Sequence, residues 1–159
     1  MRADHLDPHF IEEEAMDSPM GTHTGAGVIF GATGGVMEAA LRTVYEIVTG
    51  KTLEKLDFEA VRGVEGIKEA TVDLAGKTIK VAAVNTLSKA REVMEKIKNG
   101  ECDYTFIEVM ACPGGCVAGA GTMQAIKKSQ TAVGLYAKKA NHQFSSETEY
   151  IKELDKLVD

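Results

Sequence analysis

The middle of the chain alternates between strand-like and helix-like patterning. Ile67–Leu74 and residues 78–85 read as strands, with Ala75-Gly76-Lys77 between them as a hairpin turn. The second run, IKVAAVN, is mostly apolar, as a strand covered on both faces should be. Leu87–Lys98 places Leu87, Ala90, Met94 and Ile97 on one side of a helix that Asn99-Gly100 ends. Residues 104–110 return to an apolar run that reads as a buried strand. Residues 78–110 therefore form a β-α-β unit, right-handed by rule.

Upstream, Val36, Met37, Ala40, Leu41, Val44, Ile47 and Val48 recur at helical spacing. They predict a helix over residues 34–49, capped by Thr33, stopped by Gly50 and turned with this face to the core. Residues 51–66 read as a connector with a short helix near 57–62. Downstream, residues 122–141 read as a helix with an imperfect apolar face. Ser146 and Glu149 match a capping box for a last helix through about residue 157. Residues 1–20 are polar and acidic, an arm with at most a short helix around 10–15, on which His5 and His9 are exposed. The predicted class is α/β, with a partly parallel sheet flanked by helices.

Composition narrows the function classes. At 159 residues the chain is one domain or a large fragment of one. A net charge of −6 argues against nucleic acid and anionic membrane as partners. No apolar run approaches the ~20 residues of a membrane span, and the amino-terminal stretch lacks the apolar segment of a secretory signal. Three cysteines do not suggest a disulfide scaffold, so a reducing cytoplasm is expected.

The chemistry concentrates in residues 108–121, EVMACPGGCVAGAG. Cys112 and Cys116 follow a strand, and open α/β sheets place ligands at the carboxyl ends of strands. A structural zinc site would need a second cysteine pair, and none exists. A thioredoxin-like pair needs C-x-x-C, one residue shorter. A radical-SAM triad would need a cysteine where Gly119 stands. Half of an iron–sulfur site remains, with other thiolates supplied from elsewhere, alongside a glycine-rich turn that merely contains two thiols. A second glycine-dense stretch, residues 21–35, feeds the predicted helix at 34–49, whose free N–H groups would favour an anionic ligand. It begins like a dinucleotide fingerprint, but Phe30 stands where the third glycine belongs and no strand precedes it. Cys102, between a helix and a strand, reads as an incidental thiol.

The string IEVMACPGGCVAGAG resembles the last cysteine motif of the di-iron (iron-only) hydrogenase catalytic domain, E-x-M-A-C-x-x-G-C-x-x-G-G-G. Residues 25–42, GAGVIFGATGGVMEAALR, resemble a second stretch of that family, in the same order. The resemblance implies a domain of two α/β lobes with the H-cluster between them, of which this chain is the C-terminal lobe. That cluster is a 4Fe–4S cubane joined through one cysteine to a two-iron centre carrying CO, cyanide and a dithiolate bridge. By motif, Cys112 matches a cubane ligand and Cys116 the ligand shared with the two-iron centre. Phe30 and Met110 match apolar residues around that centre.

The resemblance divides the chain into an arm (1–20), the lobe (21–141) and a C-terminal helix (142–159). The reaction implied is the reversible reduction of protons to dihydrogen, with a ferredoxin-like electron donor. Two family motifs, T-S-C-C-P and M-P-C-x-x-K, do not occur here. They supply the other cubane ligands, a proton-relaying cysteine and a lysine that holds a cyanide. The H-cluster would be only partly ligated by this chain. The reading is a split subunit or truncated product that needs the missing lobe as partner, is inactive alone, and can self-associate through the uncovered face. Two alternatives stand beside it: a non-catalytic iron–sulfur or interaction module, and a nucleotide-binding α/β domain using the glycine loop.

Overall fold

Alternating side chains of one strand, residues 81–84, build both halves of the core. The computed structural model describes residues 7–17, 21–51, 66–74, 76–148, 150–151 and 156. Its elements are α1 (Gly25–Val28), α2 (Gly35–Thr49), β1 (Ile67–Leu74), β2 (Lys77–Asn85), α3 (Leu87–Lys98), β3 (Phe106–Met110) and α4 (Ile126–Lys138). The sheet runs β1-β2-β3, with β1 antiparallel and β3 parallel to the central β2. On one face, Val81 and Ala83 pack with Met37 and Leu41 of α2 and with Val72 and Leu74. On the other, Ala82 and Val84 pack against Val93 of α3. The two-residue period of a strand delivers this split. Each fully buried valine contributes about 1.5–3 kcal/mol.

The predicted strands, their parallel pairing and the crossover helix are all present. The register sets Asn85 beside Met110, so β2 and β3 end level. β3 begins at Phe106, two residues later than predicted. α4 is shorter than predicted at both ends. At its start, the Thr122 hydroxyl donates to the Gly119 carbonyl at 2.7 Å, and residues 122–125 stay with the preceding loop.

The stripe of α2 that meets the sheet also differs from the predicted one. Met37 and Leu41 are buried and Tyr45 packs behind them, whereas Val44, Ile47 and Val48 are exposed. The polar face carrying Glu38, Arg42 and Glu46 is engaged by the C-terminal segment. Arg42 pairs with buried Glu38 and lies over the Phe144 ring, and Ser146 bonds Glu46. That segment also docks on α1, whose Gly25 and Ala26 N–H groups donate to the His142 and Gln143 carbonyls. In the arm, a 3-10 turn at Pro8–Phe10 is followed by non-helical chain through residue 17, so the short helix allowed around 10–15 does not form. Ser146, expected to cap a last helix with Glu149, instead lies in a 3-10 turn, Ser145–Glu147, where Glu147 accepts from the Phe144 N–H. The rest of that expected helix lies mostly outside the described residues, as does the one expected near 57–62.

Thr86, between β2 and α3, has φ 80 and ψ 152, a region nearly restricted to glycine. A β-branched residue held there stores about 1–3 kcal/mol of strain. Thr86→Gly relieves it, offset by ~0.4–1 kcal/mol from the freer unfolded chain. The expected outcome is a net stabilisation of about 1 kcal/mol by urea denaturation; a destabilised variant would show that the Thr86 side chain contributes more than its backbone costs.

Candidate metal centre

The cysteine loop leaves the sheet at Met110. Gly114 and Gly115 follow with φ values of 89 and 95, a left-handed conformation that a side chain would strain. A Cβ on Gly115 would also sit 2.7 Å from both the Gly31 carbonyl oxygen and the Thr33 nitrogen. The loop therefore presses directly on the upstream glycine-rich stretch, and the Thr33 N–H donates to the Gly114 carbonyl at 3.2 Å. The chain then makes a 3-10 turn, Cys116–Ala118. A Cβ on Gly119 would lie 3.1 Å from the Cys116 carbonyl oxygen and 3.9 Å from the Cys112 sulfur. Both cysteines are free thiols, Cys112 half-buried and Cys116 exposed. Two stretches far apart in sequence thus meet at the carboxyl ends of β2 and β3.

Glu108 holds them there. It is buried in β3, and its two carboxylate oxygens accept from the Gly34 N–H at 2.6 Å and the Met37 N–H at 2.7 Å. These are donors at the start of α2, where backbone N–H groups lack helical partners. The predicted cap, Thr33, does not perform this role: the N-cap is Gly34, at φ 85, without a side-chain cap of its own. The Gly35 N–H bonds the Ala32 carbonyl. The anion expected at this helix start is thus the chain's own carboxylate.

Phe30 lies in the turn before Gly31 and is 46% exposed; Met110, the last residue of β3, is half-buried. Asn85, Glu108 and Gln130 were not singled out from the sequence, yet all three hold this region. Asn85 Oδ1 accepts from the Gly114 N–H at 3.1 Å, and Gln130 Nε2 donates to the Gly114 carbonyl at 3.1 Å. A lone carboxylate inside an apolar strand was a usable signal for Glu108, and a lone amide closing an apolar strand for Asn85. Gln130, on a mostly exposed helix, carried none. Cys102 lies before the amino end of β3 and Cys112 beyond its carboxyl end, with the strand, roughly 13 Å long, between them. Lys80 and Asp103 also lie toward that end. Their mutual contact holds the Asp103 carboxyl below, and the Lys80 amine above, the usual range.

Two cysteine thiols, one exposed, stand on a glycine loop braced by hydrogen bonds, and soft sulfur donors suit iron–sulfur ligation. Among the described residues no cluster of three or more His, Cys, Asp or Glu side chains could hold a metal ion. The Thr33 hydroxyl and the Asn85 amide nitrogen, both buried beside the loop, have no hydrogen-bond partner among the described residues. The residues fit half of such a site.

Residues 1–120 match the family described as iron only hydrogenase large subunit, C-terminal domain. The chain belongs to this iron-only hydrogenase family. The periplasmic Fe hydrogenase large subunit of Nitratidesulfovibrio vulgaris is 57% identical over 105 residues, which are 66% of this chain and 25% of that protein. The NADP-reducing hydrogenase subunit HndD of Solidesulfovibrio fructosivorans is 45% identical over 91% of this chain and 26% of its own length. The solved FeFe-hydrogenase HydA1 of Chlamydomonas reinhardtii superposes with a TM-score of 0.64 at 34% identity, covering 98% of this chain and 47% of that one. A more distant relative, cytosolic iron-sulfur assembly component 3 of Mus musculus, is 28% identical over 60% of this chain and 20% of that protein. The chain thus spans about a quarter of these two hydrogenase relatives and just under half of the solved hydrogenase.

Glu108→Gln tests the joint between the two stretches. An amide offers one acceptor where two N–H groups converge, and its NH2 must face one of them. Leaving a buried donor unsatisfied costs about 1–3 kcal/mol. A loss in that range, read from the denaturation midpoint, is expected; wild-type stability would show that the bonds to α2 contribute nothing net.

Proposed function

We propose that this chain is the C-terminal lobe of an iron-only hydrogenase catalytic domain and supplies half of an H-cluster site for the reversible reduction of protons to dihydrogen. The observation that carries this reading is the cysteine loop, seated at the carboxyl end of β3 and pressed on the Gly31–Thr33 backbone. Cys112 and Cys116 would hold the cluster, Cys112 at its 4Fe–4S cubane and Cys116 at both the cubane and the two-iron centre. When bound, the cluster supplies electron transfer and hydrogen activation. Phe30 and Met110 provide an apolar wall that limits water near the iron. A ferredoxin-like protein is the electron donor. The remaining ligands come from chain outside these 159 residues. The lobe proper is residues 21–141, flanked by segments 1–20 and 142–159.

Exposed Phe30 and half-buried Met110 lie on the face that the other lobe would cover. Without it, that face favours self-association. Among the described residues no helix is long and apolar enough to cross a membrane. The free thiols suit a reducing compartment such as the cytoplasm.

A second reading, a non-catalytic iron–sulfur module, has one observation in its favour: the more distant similarity to a protein named as an iron–sulfur assembly component. The nucleotide-binding reading is weakened, because the Gly34, Gly35 and Met37 N–H groups at the start of α2 are already bonded within the chain.

The test is dihydrogen evolution with reduced viologen after maturation with the two-iron precursor. The chain alone is expected to give none. The chain mixed with a polypeptide carrying the T-S-C-C-P and M-P-C motifs is expected to turn over. Robust turnover by the chain alone would contradict the half-site; a mixture that loads both iron centres and stays inactive would favour the non-catalytic module.

A further inference from the structure

Two points of the cysteine loop are tied to one dipeptide, Asn85-Thr86, at the crossover from β2 to α3. The Thr86 N–H donates at 2.8 Å to the carbonyl of Met110, from which the loop departs. The Asn85 side chain accepts from the Gly114 N–H, between the two cysteines. Gly114 is held from the other side as well, its carbonyl accepting from Gln130 Nε2 and from the Thr33 N–H. This one residue, midway between the thiols, is gripped by a strand end, a helix side chain and the opposite glycine loop. Asn85 is 1% exposed, so packing restricts its rotamers. The outlier backbone of Thr86 falls where both ties originate. Strain of this kind persists where the surroundings over-determine the conformation.

We propose that Asn85 and Gln130 are positioning residues that fix the Cys112 and Cys116 thiolates in a metal-ready arrangement before any metal arrives, and that the Thr86 strain accompanies placing Asn85 beneath the loop. The inference rests on reading Cys112 and Cys116 as metal ligands. A preformed pair of thiolates binds a soft metal with less ordering cost than a loose one. Groups that orient metal ligands typically contribute about 10–100-fold in affinity.

The probe is Cd2+, titrated anaerobically into the reduced 159-residue chain and followed by its thiolate absorption. The wild-type chain is expected to bind more tightly than Cys116→Ser. Asn85→Ala and Gln130→Met should each weaken binding about 10–100-fold while keeping the far-ultraviolet dichroism of the folded chain. Val72→Ala, a core change in β1, should lower stability and leave Cd2+ affinity unchanged. Because Asn85 is deeply buried, its variant can fail to fold; half-buried Gln130 then decides. A folded Gln130→Met that binds Cd2+ like the wild type would overturn the proposal while leaving the thiolate reading intact. Wild type binding no better than Cys116→Ser would overturn both.

Discussion

The Glu108 carboxylate, buried in β3, receives two N–H groups from the start of α2, and the meeting of the two glycine-rich stretches follows from that contact. A 15-residue helix concentrates partial positive charge at its amino end, and a carboxylate there is favourable in both hydrogen bonding and electrostatics. Hydrogen bonds to a charged group contribute about 1.5–3 kcal/mol each, whereas an unpartnered buried charge is strongly destabilising. The geometry therefore has little room to slide. With α2 set against β3, the preceding turn brings Thr33 to Gly114, and the cysteine loop has a wall to rest on. Glycine at position 115 is then required, because any side chain would strike that wall.

The strands and the crossover helix were legible because apolar periodicity reports which residues face a core. The cysteine loop was legible because thiols and glycines at a fixed spacing are rare and chemically specific. Periodicity could not rank the apolar positions of α2: seven qualified, and tertiary packing took Met37 and Leu41, added Tyr45 from outside that set, and left Val44, Ile47 and Val48 exposed. Nor could local rules find the true cap. Thr33 had the right residue type, but the acceptor came from Glu108, more than seventy residues away. Gln130 was invisible for the same reason, since its role depends on where α4 lies rather than on its neighbours in sequence.

The proposed function divides the cluster site between this chain and a complementary lobe. This chain's part is a tightly hydrogen-bonded platform with two free thiols and an exposed apolar residue, Phe30. A cubane needs about four thiolates, so the platform has the character of one jaw of a site.

The central claim is the assignment of the two thiolates to one cluster. It is tested most directly by iron content together with the CO and cyanide infrared bands after anaerobic reconstitution with the complementary lobe. The account predicts the largest loss of both for Cys116→Ala, a smaller or equal loss for Cys112→Ala, and wild-type values for Cys102→Ala. Loss of the cluster in Cys102→Ala, with both sets of bands retained in Cys116→Ala, would contradict it.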